Sequence, residues 1–182
     1  MTLNMKPKKT SIAGNQQERL KTEGWISGYT DGEGCFTVSI VRNKRSKFGW
    51  QVFPEFVITQ GEKSLSSLKF IKEWFGCGNI FVNKRYDNHN ENLYRYCIRS
   101  IKDLSEKILP FFERNPLRTS KKKDFEKFKR VILMMTKRKH LQKSGLIKIA
   151  RYASQMNRKV SSKALRILRD YTSDSGRKSE KI

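Results

Sequence analysis

One order of patterns occurs twice in this chain: a segment with apolar residues at helical spacing, followed by two segments in which apolar and polar residues alternate. Helices repeat every 3.6 residues and strands every two, so the two kinds of segment can be told apart. Glycines end each helical segment, and turn-forming residues separate the strands of each pair. The helical segments cover 16–30 and 62–75, and the alternating segments cover 36–40, 50–60, 79–86 and 93–99.

This order predicts an α+β fold, αββαββα, in which two hairpins form a four-stranded antiparallel sheet covered by helices on one face. Further helical patterns predict C-terminal helices, at 101–112, 123–139, 146–156 and 162–171. The expected divisions are a flexible basic tail at 1–15, a single domain at 16–172 (core unit about 16–140, C-terminal helices about 144–172) and a disordered tail at 173–182.

Alternation also assigns the strand residues to the two faces of the sheet. The residues of one parity are apolar and are expected to pack beneath the helices: Phe36, Val38, Ile40, Phe56, Ile58, Ile80, Val82, Tyr94, Tyr96 and Ile98. The residues of the other parity are polar and basic: Thr37, Ser39, Gln51, Glu55, Thr59, Asn83, Arg85, Arg95 and Arg99. This open face carries groups that can bind phosphates and base edges, although a plain solvated face would show the same pattern.

The charge of the chain points to a polyanionic partner. Lys and Arg number 40 against 17 Asp and Glu, a net charge of +23, while 36% hydrophobic residues, including 11 Phe, supply a core. The sequence has no run of 18 apolar residues and no signal-peptide stretch, so we expect neither a membrane span nor secretion. Three widely spaced cysteines predict neither a disulfide framework nor a zinc site.

Two carboxylates lie among three glycines where the first helical segment ends: Gly28, Asp31, Gly32, Glu33 and Gly34. Phosphodiester hydrolysis uses a divalent ion to neutralise developing charge and to activate water, and Mg²⁺ prefers carboxylate, water and phosphate oxygens. Acids in so basic a chain therefore predict a metal site at a helix end. The alternative is that the glycines only form a helix end and a turn, with both acids solvated.

Residues 26–34, ISGYTDGEG, resemble the LAGLIDADG motif of homing endonucleases and related intron maturases. Three positions, Gly28, Asp31 and Gly34, keep the family's residues; Glu33 stands for its second acid and Gly32 replaces an alanine. The αββαββα order also matches the family's unit, whose saddle-shaped sheet lies over DNA. The resemblance implies a site-specific endonuclease that makes a metal-dependent double-strand cut in a long DNA target.

The resemblance also implies roles for individual residues. In this family the second acid of the motif binds metal with the preceding carbonyl oxygen, so Glu33 and Gly32 are implied ligands of Mg²⁺ (or another divalent cation such as Mn²⁺), with Asp31 in a supporting role. The basic segment 115–125 resembles the one in which a lysine projects toward the cleavage site, which implies that Lys121 is catalytic. The alternates are Lys122 and Lys123.

A single motif implies a homodimer, because cutting two strands takes two active sites. Small side chains at Ser27, Gly28 and Gly32 would let the helix of a second copy approach closely, and two Glu33 carboxylates would then meet near the dyad. Dimer symmetry predicts a pseudo-palindromic target in double-stranded DNA.

The expected DNA contacts lie on the first hairpin turn and on the open face of the sheet. Basic turn residues would hold phosphates, namely Lys44, Arg45 and Lys47. Side chains that could reach base edges are Ser39, Gln51, Asn83, Arg85, Arg95 and Arg99, and for each a phosphate contact is the alternative. Where related enzymes often carry a polar residue that positions water, this chain has Val57; Gln60, Glu55 or the bound nucleic acid could serve instead.

Two other functions fit the same scaffold. An RNA-binding maturase, a splicing cofactor with intron RNA as its partner, would need the basic surface but not Glu33. A DNA-binding protein that has lost cleavage would keep the motif only as a dimer interface. Retention of Glu33 beside a lysine weighs against both. By resemblance the gene lies in an intron, so the expected compartment is an organelle (chloroplast or mitochondrion) or a bacterial cytoplasm.

Overall fold

The structure is a computed structural model that describes residues 12–84, 92–157 and 167. Its helices are α1 (Ile12–Glu33), α2 (Leu65–Phe75), α3 (Ile101–Asp103), α4 (Leu109–Arg114), α5 (Lys121–Thr136) and α6 (Lys143–Ser154). Its strands are β1 (Gly34–Arg42), β2 (Trp50–Gly61), β3 (Asn79–Asn83) and β4 (Leu93–Ile98). A π-helical stretch, Leu104–Ile108, joins α3 to α4, and short 3₁₀ turns occupy Glu62–Ser64 and Lys139–Leu141.

The four strands form one antiparallel sheet in the order β1-β2-β4-β3. Each hairpin therefore pairs its own strands, and the two hairpins meet along β2 and β4, where Phe56 is opposite Ile98. The buried parity of the central strands packs under the helices, and the other parity forms an open face. This arrangement confirms the predicted α+β class and the αββαββα order.

A cluster of phenylalanines holds the start of β1 in place. The ring of Phe36, 1% exposed, stacks on Phe56 at 5.1 Å and lies 5.3–5.4 Å from Phe112, Phe125 and Phe128. These rings come from β1, β2, α4 and α5, so one cluster joins four elements that are distant in sequence. Because Phe36 lies only three residues after Glu33, this packing also fixes the end of α1.

The first helix is longer than predicted at both ends. It begins at Ile12, so residues 12–15, expected in the basic tail, are helical, and it runs through both acids to Glu33 instead of ending at residue 30. The two carboxylates thus lie in the last turn of the helix. The predicted tail at 173–182 and the helical pattern at 162–171, apart from residue 167, fall outside the described residues.

Two expectations for the second hairpin need correction. Val82 has the predicted parity but is 51% exposed, because β3 is an edge strand at which the helical layer gives little cover. The third strand ends at Asn83 rather than at residue 86, and Arg85 lies outside the described residues. The open face is also less polar than predicted, since Phe53 and Phe81 project from it at 41% and 47% exposure.

Among residues 12–84, 92–157 and 167, none of the helices is long and apolar enough to cross a membrane.

Candidate functional site

The acidic motif forms an abrupt junction between helix and strand. Glu33 is the last residue of α1 and Gly34 the first residue of β1. A Cβ at Gly34 would lie 2.5 Å from the Thr30 Cγ2 atom and 2.9 Å from the Thr30 carbonyl oxygen, so only glycine lets the chain turn this tightly. The junction leaves the Glu33 side chain exposed at the end of the sheet.

Lys121, the first residue of α5, reaches this helix end from across the chain. Its Nζ donates to the carbonyl oxygen of Gly32 at 2.6 Å and to that of Thr30 at 3.2 Å. These carbonyls are acceptors that the last turn of a helix leaves unsatisfied, and the negative end of the helix dipole favours a cation there. The structure thus brings together Lys121, Gly32 and Glu33, while Lys122 and Lys123 are exposed.

Asp31 ties the segment before α5 to the end of α1. Its Oδ2 accepts from the backbone N–H of Arg118 at 2.7 Å, and its Oδ1 accepts from the Thr119 N–H at 3.2 Å and the Thr119 hydroxyl at 2.7 Å. Partial burial alone would raise the pKa of Asp31, but these hydrogen bonds and the nearby Lys121 outweigh it and lower the pKa. The ionised carboxylate therefore anchors the residues that lead directly into Lys121.

The exposed stripe of small residues on α1 differs from the predicted one. Ser27 is buried at 8% exposure and donates its hydroxyl to the Asn115 carbonyl oxygen at 3.0 Å, so it does not lie on that stripe. The residues that do are Gly24, Gly28 and Gly32, four apart, with no atom within 4 Å of a Cβ built on any of them. Sequence reasoning missed Gly24, although the i, i+4 spacing of the three glycines was a signal that could have identified it.

The C-terminal end of α1 could supply some, but not all, of the ligands of a divalent cation. The described part of the chain has no group of three or more His, Cys, Asp or Glu residues that could hold a metal ion. The Glu33 carboxylate and the Gly32 carbonyl supply hard oxygen donors, and an ammonium already lies on the carbonyl oxygen. An ion here would take its remaining ligands from water, phosphate or a second copy of the chain.

The first hairpin turn carries its cations in solvent. Lys44, Arg45 and Lys47 are exposed at the tip, where the turn is closed by an Asn43 side chain that accepts from the Arg45 N–H at 3.0 Å. The Asn43 amide also donates to Gln51 Oε1 at 2.6 Å, so that predicted base reader is engaged within the hairpin. Further exposed residues of the open face include Ser39 and Asn83.

An ion-pair cluster occupies the middle of the open face. Glu55, 7% exposed, accepts from Arg95 Nη2 with one carboxylate oxygen and from Arg99 Nε with the other. The hydrogen bond from Arg99 to Glu55 raises the pKa of Arg99. Alternation placed all three residues on this face, but it gave no sign that they pair with one another.

Val57, the apolar residue predicted to stand where related enzymes often carry a polar one, is 6% exposed and lies opposite Cys97, itself 3% exposed. Two residues were predicted as alternatives for positioning the active-site water. Glu55 is already bound by two arginines, whereas Gln60 is half-buried near the end of β2.

A family model described as LAGLIDADG endonuclease matches residues 26–132 of the 182, more than half of the chain. The "Probable intron-encoded endonuclease 3" of Neurospora crassa is 33% identical over 140 residues, which are 76% of this chain and 25% of that protein. The crystal structure of the homing endonuclease I-TnaI is 40% identical, covers 81% of this chain and 96% of its own, and has a TM-score of 0.72.

A second solved structure is I-SmaMI bound to an uncleaved DNA target in the presence of calcium ions. It is 32% identical with a TM-score of 0.73, and the match covers 81% of this chain but 48% of that one. The chain likewise spans only 25–28% of the first fungal relatives that it matches. The helix end, the sheet order and the family match agree, and this chain belongs to the LAGLIDADG endonuclease family.

Proposed function

We propose that this protein is a site-specific homing endonuclease that hydrolyses phosphodiester bonds in both strands of double-stranded DNA. The observation that carries the proposal is the meeting of Lys121 with the Gly32 carbonyl oxygen, at 2.6 Å, beside the exposed carboxylate of Glu33. The carboxylate of Glu33 and the lysine that begins α5 thus meet at the end of the open face of the sheet. Family membership supports the same chemistry.

Glu33 and the Gly32 carbonyl oxygen would hold Mg²⁺, or another divalent cation such as Mn²⁺. When bound, such an ion neutralises charge on the scissile phosphate and lowers the pKa of a coordinated water. Lys121 keeps an ammonium at the same point and can shift from the helix carbonyls to a phosphate oxygen as negative charge develops there. Asp31 holds the loop that sets the start of α5, which is a supporting role.

The active form in this proposal is a homodimer. One chain offers one Glu33, and two strands need two such centres, so a second copy completes the enzyme. The face of α1 that carries Gly24, Gly28 and Gly32 is open enough for a partner helix to lie directly against the backbone. Two-fold symmetry then predicts a long pseudo-palindromic target.

DNA would lie across the open face of the sheet. Hairpin-tip cations Lys44, Arg45 and Lys47 would contact phosphates, and Arg95 and Arg99 would face the major groove from the middle of the sheet. Ser39, Gln51, Asn83 and Arg85 stay predicted contacts.

We place the gene in an intron, and the protein in an organelle or a bacterial cytoplasm. The name of the Neurospora relative describes that protein as intron-encoded, which supports the first part of this proposal.

Incubation of a randomised duplex library with the full chain, with Mg²⁺ or with EDTA, tests the proposed function. Sequencing the new ends should give one pseudo-palindromic site, cut on both strands, with Mg²⁺ only. Cleavage in EDTA would contradict the metal assignment. Tight binding to DNA without any cut would contradict the endonuclease and favour an RNA-binding maturase or a DNA-binding protein.

A further inference from the structure

One carboxylate on the open face holds two arginines at once. Glu55 on β2 lies under Arg95 and Arg99, its two oxygens each accepting from one guanidinium. The carboxylate side chain is 9% exposed, whereas the arginine side chains are 40% and 55% exposed. The cluster therefore hides its acid and presents its positive charge outward, on the face that DNA would contact.

The register gives the two arginines different positions. Phe56 pairs with Ile98, so Arg99, the next residue along, stands beside Glu55. Arg95 pairs with Thr59, four residues away from Glu55 on β2, and its side chain has to run along the sheet to reach the carboxylate. Arg95 therefore reaches Glu55 from a position four residues away along β2, whereas Arg99 reaches it from the position directly opposite on the neighbouring strand.

The nitrogen that each arginine gives to Glu55 also differs. Arg99 donates through Nε, which leaves both of its terminal nitrogens free of the pair, whereas Arg95 donates through the terminal Nη2. The guanidinium carbon of Arg99 also lies 5.6 Å from the centre of the Phe81 ring, within cation–π distance. Two terminal N–H groups side by side match the O6 and N7 acceptors of guanine in the major groove.

We infer that Glu55 is a positioning residue that, with Phe81, orients Arg99 so that its two terminal nitrogens read one guanine in each half of the target. The inference rests on the proposed function, because it requires DNA on the open face. Without Glu55, Arg99 would be a long, mobile cation that contacts whichever phosphate is near, and phosphate contacts carry no sequence information.

Loss of the carboxylate is expected to change affinity and specificity in opposite directions. Glu55→Gln removes a negative charge from a surface that faces DNA, so affinity for unrelated DNA should stay equal or rise. The same change frees Arg99, so preference for guanine at the contacted position should fall by about 5- to 150-fold. If Glu55 only supported the fold, both quantities would fall together.

The experiment is selection of bound sites from a randomised duplex library by the full chain in EDTA, followed by sequencing. Wild type is expected to select a site with guanine at one position per half-site. Glu55→Gln should lose that preference alone, with all other positions kept. Glu62→Gln is the matched control, since it removes an exposed carboxylate outside the cluster and should leave the whole profile unchanged.

A second variant covers the case in which Glu55→Gln fails to fold. Arg99→Lys keeps the charge but has no fork of terminal nitrogens, so it should lose the same guanine preference while Glu55 stays in place. An unchanged profile in either folded variant, or an equal loss at every position, overturns the inference and leaves the endonuclease proposal standing. A wild type that selects no sequence at all overturns both.

Discussion

Two glutamates of this protein, one where α1 joins the sheet and one in the middle of the open face, have opposite surroundings. Glu33 at the end of α1 is exposed, and among the described residues it forms no hydrogen bond or ion pair. Glu55 in the middle of β2 is buried and fully occupied by two arginines. The same side chain is thus left open in one region and saturated in the other.

The difference in surroundings indicates different roles, a metal ligand for Glu33 and a support for other side chains for Glu55. An unpaired carboxylate on a surface that binds a polyanion opposes binding unless a cation lies between them, so the open state of Glu33 fits a metal ligand. A saturated carboxylate cannot take a metal without giving up its arginines, so the state of Glu55 fits the positioning of other groups. Asp31, which accepts three hydrogen bonds from Arg118 and Thr119, belongs with the supports.

After the loss of Glu33 itself, the largest effect is expected when the end of α1 loses the ammonium of Lys121. Lys121→Met removes the ammonium that lies on the Gly32 carbonyl oxygen and keeps a side chain of similar length. Single-turnover cleavage of the selected site should slow by about 100- to 1,000-fold, with DNA affinity little changed. Lys122→Met is the control, because that lysine is exposed next to it. A wild-type cleavage rate for Lys121→Met would contradict the catalytic role of Lys121.

The saturated region predicts a smaller, position-specific effect. Arg99→Ala should relax discrimination at one base pair by about 1 to 3 kcal/mol, measured by competition between targets that differ only there. Lys44→Ala at the hairpin tip should instead weaken binding to all sequences alike. It should also reduce the slope of log affinity against log salt concentration by about 1. A uniform loss for Arg99→Ala would show that it is only a phosphate clamp.

Two neighbouring residues of α1 show the same contrast, because Gly28 is open to solvent and Ser27 is hydrogen-bonded to Asn115. Gly28→Leu adds a side chain where nothing lies within 4 Å, so the monomer should fold normally while dimer dissociation becomes easier by about 1 to 3 kcal/mol. Thermal unfolding measures the first consequence, and sedimentation equilibrium measures the second. An unchanged dimer constant would place the interface elsewhere.

Asp31→Asn is expected to have the smallest effect, on stability. The lost charge-assisted acceptor should cost about 1 kcal/mol in the free energy of unfolding. Because the pKa of Asp31 is lowered in the folded protein, its stabilisation is present above the ordinary aspartate pKa and is lost as pH falls through the lowered one. Wild type and Asp31→Asn should therefore converge in stability under acid, and a constant difference at all pH values would contradict this.

The sequence predicted the open region better than the saturated one. The motif, its glycines and the basic segment before α5 were recognisable because each is a local pattern with a fixed spacing. The pairing of Glu55 with Arg95 and Arg99 was not, since it depends on the register between β2 and β4, and alternation gives the face of a residue but not its neighbour.

Tertiary packing explains the other differences. The exposed Val82 follows from the position of β3 at the sheet edge, and the engaged Ser27 from the loop that packs against α1 at Asn115. Local sequence patterns predict neither the strand order nor that loop contact, because both depend on residues far apart in the chain. The order of elements was predictable because hydrophobic periodicity is itself local.

The most direct test of the division between an open and a saturated glutamate is cleavage of the selected site by Glu33→Gln, with DNA binding measured on the same protein. Loss of the open ligand should slow cleavage by about a thousandfold or more, since a divalent ion contributes several kcal/mol, while affinity stays near that of wild type. Glu62→Gln, the matched control, should cut normally. Full Mg²⁺-dependent cleavage by Glu33→Gln would contradict the assignment of Glu33 as the metal ligand.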